Sequence, residues 1–263
     1  MNKLQKIRIP LDITMTILSI ILMGGNYLFP LDIVHEILGA ALFVLWAVHI
    51  TLNRRWYGAV FKGKYNPYRV MQTLINCCIL ICTIFLMISG IILSNQLFTF
   101  LNIQGGLGFA RIVHLLASHW YYLFMSMHIG LHAGMIANKI KQKRESSPPE
   151  QNKNHSENLN CHSELVSESP AREMPNQVRH DKESEPHDKL QKILPRIVLA
   201  LVCLYGIYAF IVRGVWRYLI LQQQFFFFDL ERGYFLFAID YISIIVLFAT
   251  ISHFAAKALK KNR

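Results

Sequence analysis

The sequence predicts an all-α, polytopic membrane protein: a four-helix bundle followed by two further transmembrane helices. Three observations predict it. The chain is 53% hydrophobic over 263 residues, with a mean hydropathy of +0.32. Its apolar residues gather into runs near the ~20 residues that a helix needs to cross a ~30 Å hydrocarbon layer. Its charges, 27 basic against 16 acidic, stand at the ends of those runs. That placement marks topology and argues against a nucleic-acid-binding face.

Six spans are expected. The first runs from about Leu11 to Phe29, closed by Pro30. Lys3, Lys6 and Arg8 precede it as they would in a signal peptide, but the run is long and lacks an A-x-A site, so a retained span is expected. The second runs from about Ile33 to Leu52 and stops at Asn53-Arg54-Arg55, and the third from about Val70 to Leu93. The fourth runs from about Ile112 to Ala137. The fifth (Ile197 to Val212) and sixth (Tyr234 to Ala256) follow a polar stretch. Three units result: a bundle over 1–138, a disordered linker over 139–193 and a two-helix unit over 194–263. Between the last two spans, Gly214 to Gly233 holds Trp216, Tyr218 and Phe225–Phe228, and reads as an interfacial, lipid-anchoring segment.

The linker core, CHSELVSESPAREMPNQVRHDK, resembles the translation of a palindromic repeat found scattered through bacterial genomes, and reads as an insertion. The spacings of His155, Cys161, His162, His180 and His187 match no standard zinc pattern. Five cysteines, four of them in apolar segments, offer neither a disulfide framework nor a CxxCH haem attachment.

Positive charge sets the orientation. The N-terminus, the Arg54–Arg69 loop, the Lys139–Arg144 run and the C-terminal Lys257, Lys260, Lys261 and Arg263 fall on one side. On the other, Arg111, Arg213, Arg217 and Arg232 are offset by Asp32, Glu36, Asp229 and Glu231. The basic side is expected to be cytoplasmic, with both termini inside, in a bacterial inner membrane.

The chemistry lies in the histidines. His35 and His49 stand fourteen residues apart in the second span, and His114 and His128 fourteen apart in the fourth. Fourteen helical residues put both members of a pair within ~40° on one face and ~21 Å apart. One intramembrane histidine is explained by a hydrogen bond to a nearby carbonyl; two pairs at one interval are not so easily explained. In an up-down bundle the second and fourth spans run parallel, so His35 pairs with His114 near the outer surface and His49 with His128 near the inner one. Two such pairs are axial ligand sets for two b-type haems, held by coordination alone.

The other polar residues sort around this face. His119 lies ~140° from His114, off the haem side, and reads as an interhelical hydrogen-bonding residue. His128 competes with His132, which lies at ~0° from His114. His128 repeats the fourteen-residue interval; His132 matches His49 in depth. His128 is taken as the ligand, with His132 beside it as a haem-propionate or proton-handling group. Gly39, Ala40, Ala41, Gly130 and Gly134 fit either the approach of a planar group or ordinary helix contact. Arg8, Arg69 and Arg111 read equally as propionate partners and as topology charges. Asp240 calls for a buried base or a proton path. His253 has no assignment.

The stretch HEILG…VHITLNRRWYGAVFKGKYNPYR…ISGIILS…ARIVH…MSMHIGLH, over roughly residues 6–137, resembles the flavinylation-associated cytochrome family. FFFFDLERGYFLFAIDY resembles a C-terminal extension of some members. The resemblance implies a di-haem b-type membrane cytochrome that passes electrons toward an extracytoplasmic flavoprotein or FMN-binding protein. Carried over by motif, His35, His49, His114 and His128 are its haem ligands, and His132 is the second histidine of HIGLH. The expected function is electron relay across the cytoplasmic membrane, with a quinol among the candidate donors. Two alternatives are a quinone-linked oxidoreductase subunit, with His132 and Asp240 handling protons, and a metal-ion transporter using the intramembrane histidines. A plain membrane anchor is disfavoured by the histidine count.

Overall fold

The computed structural model describes residues 3–24, 31–60, 62, 65–145, 186–225 and 233–261. The described residues form helices without strands: α1 (Lys3–Met23), α2 (Asp32–Leu52), α3 (Arg54–Val60), α4 (Pro67–Leu93), α5 (Leu107–Glu145), α6 (Pro186–Val212), α7 (Val215–Leu219) and α8 (Gly233–Lys261), with a 3₁₀ turn at Thr99–Leu101. Phe29, Pro30, residues 146–185 and Phe226–Phe228, all used in the sequence reading, lie outside the described residues.

Helix ends follow local chemistry. Asn66 is extended, and its Oδ1 accepts the Arg69 N–H at 2.7 Å; Pro67 takes the first helical position, where its missing N–H costs nothing. Arg69 then donates to the carbonyls of Ala59 and Lys62 and lies over the Tyr65 ring, binding the α3–α4 loop to the start of α4. At the end of α2, Arg8 of α1 donates to the Leu52 carbonyl at 2.6 Å, one of the oxygens a helix end leaves without a partner. These contacts occupy Arg8 and Arg69 with backbone carbonyls. Arg111 stands exposed in the turn before His114.

Four helices are long and apolar enough to cross a membrane: Asp32–Leu52, Pro67–Leu93, Ile193–Val212 and Gly233–Lys261. Among the described residues, which stop at Gly24 within the first expected span, the first and fourth of the six expected spans do not meet that measure. α1 carries Lys6, Arg8 and Asp12 within its length, and α5 carries four histidines beside Trp120, Tyr121 and Tyr122, which lower its hydropathy. The ends of the expected linker are helical: α5 runs on to Glu145 and α6 begins at Pro186. The Lys-Gln-Lys-Arg-Glu run that ends α5 consists of good helix formers, so charge there ends the apolar run and not the helix.

α5 sits at the centre, packed along α4 on one side and α8 on another, while α6 packs on α8 and α1 on α2. Tyr121, Tyr122 and Met125 of α5 join Phe237, Tyr241, Ile244 and Ile245 of α8 in the main core. The Tyr122 hydroxyl donates to the Tyr241 carbonyl, and Ser252 Oγ to the Met127 carbonyl at 2.6 Å. Gly130 makes the approach close: a Cβ there would stand 2.0 Å from the Ala249 carbonyl oxygen. Gly206 does the same for α6, where a Cβ would meet the Ser243 carbonyl oxygen at 2.6 Å. So α8 is a core helix of the assembly rather than an appendage to a four-helix bundle. A hydropathy pattern reports that a helix is apolar, not which neighbour covers it.

The segment before α8 is described only as far as Phe225. Val215 and Tyr218 of α7 are buried, and Trp120 Nε1 of α5 donates to the Leu219 carbonyl at 3.2 Å. The α7 part of the expected lipid-anchoring segment thus docks on protein, and Phe225 beyond it is exposed.

Candidate functional site

α2 is the least embedded of the long helices: none of its residues is buried. It rests on α1, touches α4, and makes no extended contact with α5. Yet two ring pairs join α2 to α5. His35 meets His114 with ring centres 6.4 Å apart and planes crossed at 63°. His49 meets His128 at 6.5 Å and 74°. The N-terminal histidine of one helix faces that of the other, so α2 and α5 run parallel here. The ring that meets His49 is that of His128, and His132 lies edge-on to His128 at 4.6 Å.

Three of the four rings are fixed by a bond at Nδ1. His128 Nδ1–H donates to Asn76 Oδ1 of α4 at 2.8 Å. His49 Nδ1–H donates to Asp12 Oδ1 of α1 at 2.8 Å. Ser89 Oγ of α4 lies 3.0 Å from His114 Nδ1. Ser89 spends its own proton on the Phe85 carbonyl at 2.6 Å, so the histidine is the donor here too. A ring that donates from Nδ1 keeps its lone pair on Nε2. Asn53 Nδ2 stands 3.3 Å from His49 Nε2, but its shorter bond, 2.9 Å, goes to the His49 carbonyl.

These residues fit haem iron on two counts. Two imidazoles sharing one iron, with bonds of about 2 Å and ring nitrogens about 1.1 Å from their ring centres, would stand about 6.2 Å centre to centre. Metal-binding histidines also give their other N–H to a carboxylate, carbonyl or similar acceptor, which holds ring and tautomer. Among the described residues, no group of three or more His, Cys, Asp or Glu could by itself hold a metal ion. The cross-helix ring contacts come in twos, the number of ligands that haem leaves to the protein, with His132 beside the second pair.

The ISGIILS motif of α4 serves the His35–His114 end. Gly90 lies against the His114 ring, where a Cβ would stand 3.6 Å from Cε1. Ser94 Oγ donates to Glu36 at 2.6 Å, and the N–H groups of Asn95, Gln96 and Leu97 also point at that carboxylate. Glu36, expected as a topology charge, ties the start of α2 to the loop after α4, one residue from His35. Sequence reasoning missed Asp12, Asn76 and Ser89 altogether. An acid and an amide inside apolar runs were the available signals for the first two.

The remaining polar residues are engaged in packing contacts, with His119 Nε2 and one Arg213 terminal nitrogen left buried without a hydrogen-bond partner among the described residues. His119 is 1% exposed; its Nδ1–H donates to the Leu115 carbonyl at 2.8 Å, and its ring stacks on Tyr218 of α7 at 4.3 Å. Asp240 accepts from Arg213 Nε at 2.7 Å and from the Tyr205 hydroxyl at 2.6 Å, a buried pair across α6 and α8. Arg213 is therefore a partner of Asp240 and not a surface topology charge. His132 faces Asp12, His49 and Lys260 electrostatically. Asp240 lies twenty residues before Lys260 on α8, about 30 Å along the axis. The shared proton-handling pocket expected of His132 and Asp240 is not formed. Of the small residues, Gly130 serves helix contact, Gly134 lies against the His253 ring, and a Cβ on Gly39 would meet nothing within 4 Å.

The class that fold and site define is an all-helical protein with four membrane-compatible helices and two cross-helix histidine pairs. No family model matches the chain, and no curated protein or solved structure matches it.

Proposed function

We propose that this chain is a di-haem b-type cytochrome that relays electrons across the bacterial inner membrane. His35 and His114 hold one haem, and His49 and His128 the other. The carrying observation is the pair of ring separations, 6.4 and 6.5 Å, between two helices that do not otherwise pack together. When bound, haem supplies one-electron redox chemistry; the chain supplies ligands, burial and charge. Asp12, Asn76 and Ser89 hold the ligand rings by Nδ1, which leaves each Nε2 its lone pair, and Glu36 fixes the start of α2. Helical rise sets the two sites about 21 Å apart along α2. The basic loops support an orientation with the His49–His128 site toward the cytoplasm and both termini inside. A flavoprotein or FMN-binding protein on the outer side is the proposed acceptor, and a quinol is a candidate donor.

The test is a dithionite-reduced minus oxidised spectrum of the purified, haem-supplied protein. A b-type spectrum is expected. A flat spectrum from folded protein that retains a transition metal would replace this reading with metal transport.

A further inference from the structure

We infer that Asp12 makes the His49–His128 pair the lower-potential centre, so that the chain is built to pass electrons from that pair to the His35–His114 pair. This rests on the di-haem reading and gives the direction already proposed a cause in named residues.

The two pairs differ in what their rings donate to. At His49–His128 both rings give Nδ1–H to strong acceptors, the Asp12 carboxylate and the Asn76 amide oxygen, each at 2.8 Å. At His35–His114 the His114 ring lies 3.0 Å from the Ser89 hydroxyl and also bonds the Leu86 carbonyl, both uncharged acceptors. Among the described residues His35 has its ring contact with His114 and no side-chain hydrogen bond. A bond from Nδ1–H to an anion pushes electron density toward Nε2 and makes it the more basic ligand. Charge-assisted hydrogen bonds are themselves roughly twice as strong as neutral ones. A more basic ligand favours the oxidised, more positive metal, and potentials follow hydrogen bonding and net charge around the ligands.

The other charges act through space. Glu36 and Asp32 lie near His35, but the Glu36 oxygens take one hydroxyl and three backbone N–H donors, which spread its charge. At the other end, Lys260 faces His132, and Arg8 is held by the Leu52 carbonyl. Only Asp12 acts through a bond on the ring itself. With haem bound at both pairs, the potential difference would favour the His49–His128 centre as electron donor and the His35–His114 centre as acceptor. No bond forms or breaks and no proton moves.

The test is a redox titration of the full-length protein at one fixed pH, followed by absorbance and by electron paramagnetic resonance. The H49L/H128L variant assigns the signals. The wild type should show two potentials, the lower one missing in H49L/H128L. Asp12→Asn should raise the lower potential by a tenfold change in equilibrium constant, about 59 mV for one electron, and leave the upper one in place. Should Asp12→Asn shed its haem, Asn76→Asp, which gives His128 a carboxylate acceptor, should lower the same potential. The inference is overturned by a lower potential that belongs to His35–His114, by an Asp12→Asn shift confined to the upper potential, or by Asp12→Asn and Asn76→Asp proteins whose potentials match the wild type. A wild type without haem overturns the di-haem reading itself.

Discussion

Asp12 and His49 lie 37 residues apart in the chain and 2.8 Å apart in the fold. The first helix thus does more than precede the second: it supplies the acceptor that orients a ligand-type histidine. Asn76 does the same for His128 from α4. The histidines of α2 and α5 are presented to one another by groups on α1 and α4.

Asn76→Leu should therefore weaken haem retention at His49–His128 and spare the other pair. It strands the His128 Nδ1–H in a buried setting, at about 1–3 kcal/mol. Loss of an outer-shell partner of this kind typically costs 10–100-fold in metal affinity. Haem titration of the apoprotein, read at both centres, checks it.

His132→Phe should keep both haems. His132 lies beside His128 and is not the ring that meets His49. Haem quantification per chain decides the matter, and loss of one haem would transfer the ligand role to His132.

Gly130→Ala should destabilise the fold by about 1–3 kcal/mol, the usual range for overpacking, because its Cβ would stand 2.0 Å from the Ala249 carbonyl oxygen. Gly39→Ala should be neutral for stability, since nothing lies within 4 Å of its Cβ position. Unfolding of the detergent-solubilised proteins separates the two.

Asp240→Asn should cost about 3–5 kcal/mol, the range for leaving one partner of a buried ion pair uncompensated. Its partner Arg213 is 9% exposed and Asp240 3%. Replacing both by apolar residues should recover much of that loss. Both variants should leave the haem spectrum in place, because the pair joins α6 to α8 away from the histidine rings. A loss of haem in either one would tie this pair to the site.

How much was legible in the sequence follows from where each signal resides. The pairing of His35 with His114 and of His49 with His128 is a matter of helical period, and the ring contacts match it. The angle that sets His119 off that face is also local, and His119 is indeed turned to α7. Asp12, Asn76 and Ser89 were not legible as ring partners, because each contact crosses between helices far apart in the chain. For the same reason the central place of α8 was hidden: apolarity does not name a neighbour. Glu36 was read as a topology charge because nothing in its own helix shows that three backbone N–H groups of a distant loop converge on it.

The central claim is that two cross-helix pairs each hold one haem. The most direct measurement is haem per chain in the wild type and in the pair variants H35L/H114L and H49L/H128L. The account predicts about two haems in the wild type and one in each variant, with different residual spectra. A folded wild type without haem, or pair variants that keep both, would contradict it.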